Sequence, residues 1–226
     1  MITSGTEFGL KIMRAVGAQL GVTYLSAPIS TGRRDLMLMQ ELGVGKEELR
    51  AKFPGEHRRR VIGPNEREVY KFAQMVRKLP GRGFVVNPGE LYVPSWTQSD
   101  YIAFWEEIIR SFCLEMVLAP GWEYSAGARF EAGIALQTNL TICDVRGREL
   151  SARDLSAMDG RSRSELLRQG LSPDVIEAYM PWVDFTSLDA DPARLAEHIQ
   201  QFSDIAVRHN EEALRRQRES EGDQSA

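Results

Sequence analysis

Four short apolar segments recur along the first 145 residues, and each of the first three runs into a proline within two residues. They read VTYLS, GFVV, CLEMVLA and LTICDV, and begin at Val22, Gly83, Cys113 and Leu140. Apolar, β-branched runs of this length are typical of short buried strands. Between them, apolar residues recur at helical spacing. The alternation predicts a three-layer α/β sandwich, a doubly wound, mainly parallel sheet with helices on both faces, Rossmann-like or flavodoxin-like.

Ligands bind outside the carboxyl ends of the strands in sheets of this kind. The loops that follow the first three predicted strands are therefore the places to look for a site. They carry most of the small, polar and aromatic residues of interest, and they span 26–34, 87–99 and 120–130.

A chain of 226 residues accommodates one large domain with appendages. We predict four segments along it. These are a lead-in at 1–20, an α/β domain at 21–145 with an insertion at about 35–64, a helical extension at 146–217, and a disordered polar tail at 218–226.

Helix signals also fall inside and after the insertion. Within it, we expect a helix near 35–42, a second short helix near 46–52, and then a mobile connection. Asn65 fits the N-cap of the helix that follows. Two further helices are expected near 101–112 and 130–136.

Beyond residue 145 the helical pattern is weaker. It predicts two short helices, the second beginning near Ser162 or Ser164, and then a long amphipathic helix capped by Asp191.

Composition excludes several function classes. The net charge of −4 argues against a surface that coats a nucleic acid polymer, and the basic cluster 57–60 is interpreted as a solvated loop. No signal peptide or membrane span is apparent. Cys113 and Cys143 lie in apolar contexts and are interpreted as buried, reduced thiols of a cytoplasmic protein. The sequence contains no zinc-protease, P-loop or dinucleotide motif, so we expect no metal and no cofactor.

The stretch GWEYSAGARFEAG places one carboxylate, Glu131, after a group of small residues. Small residues at 125–128 let backbone amides approach a ligand, and a helix begins nearby. We expect the Glu131 carboxylate to be ionised at neutral pH and suited to attack on an anomeric carbon. Ser125 and the amides around Gly127 suit an anionic group such as phosphate. The plainer alternative is that Glu131 only caps or pairs with a helix start.

Residues 125–135, SAGARFEAGIA, fit the pattern S-x-G-x-x-F-E-x-G-x-A. This resembles the motif of the nucleoside 2-deoxyribosyltransferase superfamily, which implies that Glu131 is the catalytic nucleophile. In the hydrolase branch, the 2′-deoxynucleoside 5′-phosphate N-hydrolases, the resemblance implies that Ser125 contacts the 5′-phosphate. The longer stretch from Pro120 is similar to an uncharacterised branch with the signature PGW-x-x-S-x-GA-x-x-E.

The first strand carries a second resemblance. The segment 24–28, YLSAP, resembles the superfamily's opening Tyr-x-(Ala/Cys)-Gly-(Pro/Ser), although Ala27 stands where glycine is usual. The resemblance implies that Tyr24 lies near the nucleophile, that Ser26 belongs to the substrate loop, and that Arg33 or Arg34 holds phosphate.

The superfamily also places a second acid on the helix before the PGW strand. Glu106, Glu107 and Asp100 are the candidates for this role, which the resemblance assigns to base departure or sugar orientation.

Further loop residues have two interpretations each. Trp122 and Tyr124 either stack on a nucleobase or pack beneath their loop. Asn87 either binds a ligand or makes the Asn-Pro turn.

Together these features predict an N-glycosidase that acts on a nucleoside or nucleoside 5′-monophosphate through Glu131, hydrolysing the bond or transferring the base. The resemblance also implies a homodimer or higher homo-oligomer. A nucleotide-binding sensor that has lost turnover is the main alternative. A phosphoribohydrolase of the cytokinin-activating type is disfavoured because its PGG-x-GT-x-x-E pattern is missing.

Overall fold

The computed structural model describes residues 4–15, 21–82, 84–94 and 96–190. Four parallel strands form one sheet in the order β2-β1-β3-β4. The strands are β1 Val22–Ser26, β2 Val85–Val86, β3 Cys113–Leu118 and β4 Thr141–Asp144. Helices pack around the sheet, which confirms the predicted three-layer Rossmann-like α/β fold.

The helices of the described residues alternate with the strands and continue after the last one. Their bounds are α1 Ser4–Ala15, α2 Arg33–Leu42, α3 Lys46–Lys52, α4 Pro54–His57, α5 Gly63–Val76, α6 Gln98–Phe112, α7 Ala126–Gln137, α8 Ala152–Arg168, α9 Pro173–Tyr179 and α10 Phe185–Ala190.

Side chains of the strands alternate between two apolar layers, as the period of two requires. On one face, Leu25 and Val117 pack against Val69 and Ala73 of α5. On the other face, the cluster that contains Tyr24 includes residues of α1, α6, α7 and α8. Each face of the sheet therefore has its own helical cover, and the carboxyl ends of the strands stay open to the loops.

A second core forms away from the sheet. Leu36 of α2, Leu49 of α3 and Val61 pack with Leu166 of α8 and Ile176 of α9. The segment predicted as an insertion over the site is thus held against the C-terminal helices by a shared apolar cluster.

The prediction of a mobile connection between the short helices and Asn65 is wrong. Helix α4 begins with Pro54 at its first turn, and a π-helical turn at Arg58–Ile62 joins it to α5. Asn65 therefore lies inside helical backbone and does not cap it. The 57–60 cluster is helical as well, and His57 is buried.

Two later helix predictions also need correction. Helix α7 begins directly after Ser125, whose hydroxyl accepts the Ala128 N–H, so Glu131 lies in the second turn and is not a cap. Helix α8 runs without a break through the residues predicted to separate two short helices, and a capping box from Ser151 and Asp154 fixes its start. The predicted helix from Asp191 lies outside the described residues.

Phe185 tests whether the helices after β4 belong to the core. Its ring is fully buried, with its centroid 5.7 Å from that of Trp122. Phe185→Ala should lower the free energy of unfolding by about 3–5 kcal/mol, measured by urea denaturation, because it leaves a cavity. Phe84, which is 42% exposed, provides the matched control, and Phe84→Ala should cost under about 1.5 kcal/mol. Equal costs would show that α10 contributes nothing to the core.

Candidate active site

Two hydroxyl groups of β1 hold the carboxylate of Glu131. Tyr24 Oη donates to Glu131 Oε1 at 2.7 Å, and Ser26 Oγ donates to Oε2 at 2.6 Å. Both donors are fully buried, whereas Glu131 keeps part of its surface accessible. In the described part of the chain no arginine or lysine forms an ion pair with it. The carboxylate is therefore oriented by neutral donors.

The local sequence explains this arrangement. Tyr24 and Ser26 are two residues apart on a strand, so both side chains point to the face that α7 covers. Small residues of α7, including Ala128 and Ala132, are buried against that face and allow the helix to approach closely. The Tyr24 ring also meets Trp105 of α6 edge to face, with centroids 5.9 Å apart.

Burial changes the acidity of Glu131. Desolvation raises its pKa from 4.5 to about 7, although the hydrogen bonds from Ser26 and Tyr24 act in the opposite direction. The prediction of a carboxylate held ionised at neutral pH therefore needs correction, because burial disfavours its charged form. Burial and the charge of Glu131 raise the pKa of Tyr24 well above 10, so its hydroxyl keeps its proton and donates.

A second hydroxyl pair lies at the start of α7. Ser125 Oγ is 2.9 Å from Thr31 Oγ1, and Ser125 is buried while Thr31 is partly exposed. A Cβ at Gly127 would meet only Ser125 Oγ, at 3.9 Å, so space stays open beside the hydroxyl. This site combines two hydroxyls with the positive end of a twelve-residue helix.

The loop between β1 and α2 depends on one glycine. Gly32 has a φ of 101°, and a Cβ there would lie 2.9 Å from the Pro28 side chain. Both arginines that follow it already have acidic partners. Arg33 lies 2.7 Å from Glu165, and Arg34 donates to Glu68 at 2.9 Å. Either arginine would have to exchange this partner to hold a phosphate.

A cleft of about 670 Å³ opens beside this loop at the carboxyl ends of β1 and β3. Pro28, Gly121 and Tyr124 line it together with apolar side chains of α2 and α5. Its charged groups balance, because arginines and glutamates line it in equal number: Arg33, Arg34 and Arg60, with Glu68, Glu123 and Glu165. Glu131 does not line this cleft, so the cleft is adjacent to the carboxylate site and not identical with it.

Several predicted contacts lie elsewhere. Trp122 is fully buried against Phe185 and is not placed to stack on a base. Asn87 accepts the Gly89 N–H at 3.0 Å, which is the turn interpretation. Ser26 is fully buried and donates to Glu131, so its hydroxyl orients the carboxylate instead of facing a substrate.

The three candidates for a second acid all lie on α6, and none is brought to Glu131. Glu106 pairs with Arg110 at 2.9 Å, and Glu107 accepts the Ser111 hydroxyl at 2.6 Å. Asp100 completes the capping box with Thr97. The α6 residue that reaches the site is Trp105, through the Tyr24 ring.

Sequence reasoning missed Thr31 and did not foresee that Ser26 would donate to Glu131. Thr31 lies in a predicted site loop, and that position is the only signal that pointed to it. Cys113 and Cys143 are free and buried as predicted, and burial raises the pKa of each thiol to about 12. Across the described residues, no group of three or more His, Cys, Asp or Glu side chains is arranged to hold a metal ion.

Residues 60–144 match the model of a family described as "Domain of unknown function (DUF4406)". This family stands in the nucleoside 2-deoxyribosyltransferase-like group. The match spans less than half of the chain, contains Ser125 and Glu131, and distinguishes no branch of the group. Tyr24 and Ser26 lie outside it and join the site through the pairing of β1 with β3.

No curated protein and no solved structure matches the chain significantly. Among the described helices, none has the length and apolar character needed to cross a bilayer.

The raised pKa of Glu131 predicts that its charge costs stability. Between pH 4.5 and about 7 the folded protein retains a proton that the unfolded chain has released, so stability falls as the pH rises through this window. Glu131→Gln should therefore raise the free energy of unfolding at pH 8 by about 1–2 kcal/mol, which is observed as a higher Tm. The gain should shrink toward pH 4.5, as followed by thermal denaturation across pH.

The control is Glu149→Gln, an exposed glutamate in the turn after β4. The difference in Tm between this variant and wild type should not increase with pH over the same window. A Glu131→Gln protein less stable than wild type at pH 8 would contradict the desolvation argument.

Proposed function

We propose that this protein is an N-glycosidase that cleaves the bond between the base and the sugar of a nucleoside 5′-monophosphate, with Glu131 as nucleophile. The observation that carries the proposal is the desolvated carboxylate held by Tyr24 and Ser26, with no cationic partner among the described residues. A carboxylate in an ion pair would be a weaker nucleophile, whereas neutral hydroxyls orient it and leave its charge available.

The proposed reaction has two steps. The Glu131 carboxylate attacks the anomeric carbon, the C1′–N bond breaks, and its electron pair leaves with the base, which takes up a proton. Water then attacks the anomeric carbon of the glycosyl ester, and Glu131 leaves as the carboxylate while the water proton passes to solvent. A second base in place of water would give transfer instead of hydrolysis.

The Ser125–Thr31 pair supports a phosphate-bearing substrate. Two hydroxyls and the amino end of α7 provide donors for phosphate oxygens; Ser125 caps α7, the helix that carries Glu131, and Thr31 lies in the loop after β1. Arg33 and Arg34 are near enough to the same loop to add to phosphate binding, if they release Glu165 and Glu68. A nucleotide is therefore favoured over an unphosphorylated nucleoside, which also favours hydrolysis over transfer.

The adjoining cleft has space for the remainder of a nucleotide. Its balanced charges and its lining by Pro28, Gly121 and Tyr124 suit a neutral, planar base better than additional phosphates.

A nucleotide-binding sensor is the second candidate, and one observation favours it. The α6 carboxylates Glu106 and Glu107 bind Arg110 and Ser111, so in the described chain no second acid contacts Glu131. A protein of this kind would bind nucleotides without releasing base.

Release of free base should be measured by chromatography on a panel of ribo- and deoxyribonucleosides and their 5′-monophosphates. Wild type should release base, and kcat for Glu131→Gln should fall by about 10³-fold or more because the nucleophile is lost. Glu149→Gln should retain activity. Ser125→Ala should lose the preference for monophosphates. No base release by wild type, with nucleotide binding still detected by thermal shift, would support the sensor instead.

The rate should also depend on pH through Glu131. Because the carboxylate must be ionised to attack, kcat/KM should rise with pH along an acid limb with an apparent pKa near 7. Ser26→Ala removes a donor that favours the charged form, so the limb should move to higher pH. Thr23→Ala is the matched control, since this β1 hydroxyl donates to Glu115 on the opposite face. A limb unchanged in Ser26→Ala would count against this role.

A further inference from the structure

A buried polar network lies outside the proposed catalytic residues and joins three separate segments. Tyr179 of α9 accepts the Gly32 N–H at 3.1 Å and donates its own hydroxyl to Asp35 Oδ2 at 2.6 Å. His57 Nε2 lies 3.1 Å from Asp35 Oδ1. All three side chains are more than nine-tenths buried. Burying such polar groups is costly, and the hydrogen bonds from Tyr179 to Asp35 and from Gly32 to Tyr179 offset part of that cost.

The donors in this network have defined directions. Burial and the neighbouring Asp35 raise the pKa of Tyr179 well above 10, so its hydroxyl keeps its proton. His57 Nε2 also lies 3.1 Å from the Ser30 carbonyl oxygen. Because both of its neighbours are acceptors, Nε2 carries a hydrogen, which it donates to the Ser30 carbonyl oxygen. Asp35 Oδ1 lies beside the same nitrogen but forms no hydrogen bond among the described residues.

Asn65 adds two further contacts to the same loop. Its side-chain amide donates to the carbonyl oxygens of Ile29 at 2.9 Å and Thr31 at 3.0 Å. Three consecutive loop carbonyls are therefore held by His57 and Asn65, and the next amide, that of Gly32, is held by Tyr179.

The π-helical turn explains how one helix supplies both side chains. His57 and Asn65 are eight residues apart, a spacing that would turn them about 80° from each other on a regular helix. A π-turn adds one residue to a turn, so eight residues cover what seven normally cover, and the two side chains return to one face. Both then reach residues 29–31.

The restrained loop carries Thr31, whose hydroxyl lies 2.9 Å from Ser125 Oγ. We propose that Tyr179, Asp35 and His57 are positioning residues that hold Thr31 and Gly32 in the geometry needed to bind the 5′-phosphate of the substrate. This inference rests on the proposed function and deepens it. It makes α9, from the C-terminal part of the chain, a component of the substrate site.

The test uses base-free probes, so that it does not depend on turnover. Binding of 2-deoxyribose 5-phosphate is measured by calorimetry, and binding of 2-deoxyribose by ligand-observed NMR. Tyr179→Phe should weaken binding of the sugar phosphate about tenfold and leave binding of the unphosphorylated sugar within about twofold, because only phosphate contacts depend on the loop. A purely structural role would change both affinities together or neither.

Tyr101→Phe is the matched control. The Tyr101 hydroxyl of α6 also binds backbone, accepting from Val93 N at 2.7 Å and donating to Val93 O at 3.2 Å, but it holds a different loop. This variant should bind both probes like wild type.

A pair of His57 variants keeps the inference falsifiable if Tyr179→Phe folds poorly. His57→Gln retains an N–H that can reach Ser30 and should bind the sugar phosphate like wild type, whereas His57→Met should weaken it about fivefold.

The inference is overturned if Tyr179→Phe retains wild-type affinity for the sugar phosphate, if His57→Met matches His57→Gln, or if wild type does not bind the sugar phosphate. The proposed hydrolase fails by a different result, namely that wild type binds the sugar phosphate but releases no base from any nucleotide.

Discussion

The rest of this site depends on the burial of the Glu131 carboxylate. Its hydrogen-bond partners are two neutral hydroxyls, and no cation is paired with it among the described residues. Tyr24 and Ser26 supply one hydrogen bond to each oxygen, which orients the group but does not offset its desolvation, so its pKa rises to about 7. The surroundings follow from this placement. Strand β1 must carry hydroxyls two residues apart, and α7 must pack closely through small side chains. The charge of Glu131, which the proposed chemistry requires, therefore lowers the free energy of unfolding.

The loop after β1 is the second determinant, and residues distant in sequence hold it. A site built only from 21–145 would lack the Tyr179 hydroxyl that accepts the Gly32 N–H. In the structure, α9 provides Tyr179 and the π-turn helix provides His57 and Asn65, so the loop is fixed from two sides. The shared apolar cluster of Leu49 and Leu166 keeps these helices together. His57 and Tyr179, which lie outside the family match at 60–144, thus help to fix the shape of this loop.

The arginines around the cleft are ion-paired and exposed, whereas the Glu131 carboxylate is buried and has only neutral partners. Arg33 and Arg34 are satisfied by Glu165 and Glu68, and these pairs are exposed enough for solvent to screen them. Their partners can be exchanged at low cost when a ligand arrives, whereas the Tyr179–Asp35–His57 network cannot be rearranged without leaving buried polar atoms unpaired. We therefore assign ligand binding to the exposed arginine pairs and positioning of the loop to the buried groups.

The sequence by itself determined the sheet, because short apolar runs that alternate with helical segments leave few alternatives to parallel strands with helical crossovers. It also determined the identity of Glu131 and Ser125 as candidates, through a local motif on a single helix. It could not show that Asn65 lies inside a helix or that Ser26 donates to Glu131, since each has a local interpretation that a contact from a distant segment overrides. Only the tertiary structure decided that Ser26 would bind Glu131, 105 residues away, and that Tyr179 would hold Gly32, 147 residues away. Such contacts depend on how the helices pack against the sheet. The spacing of apolar residues predicts the helices and strands, but it does not predict which polar groups their packing brings into contact.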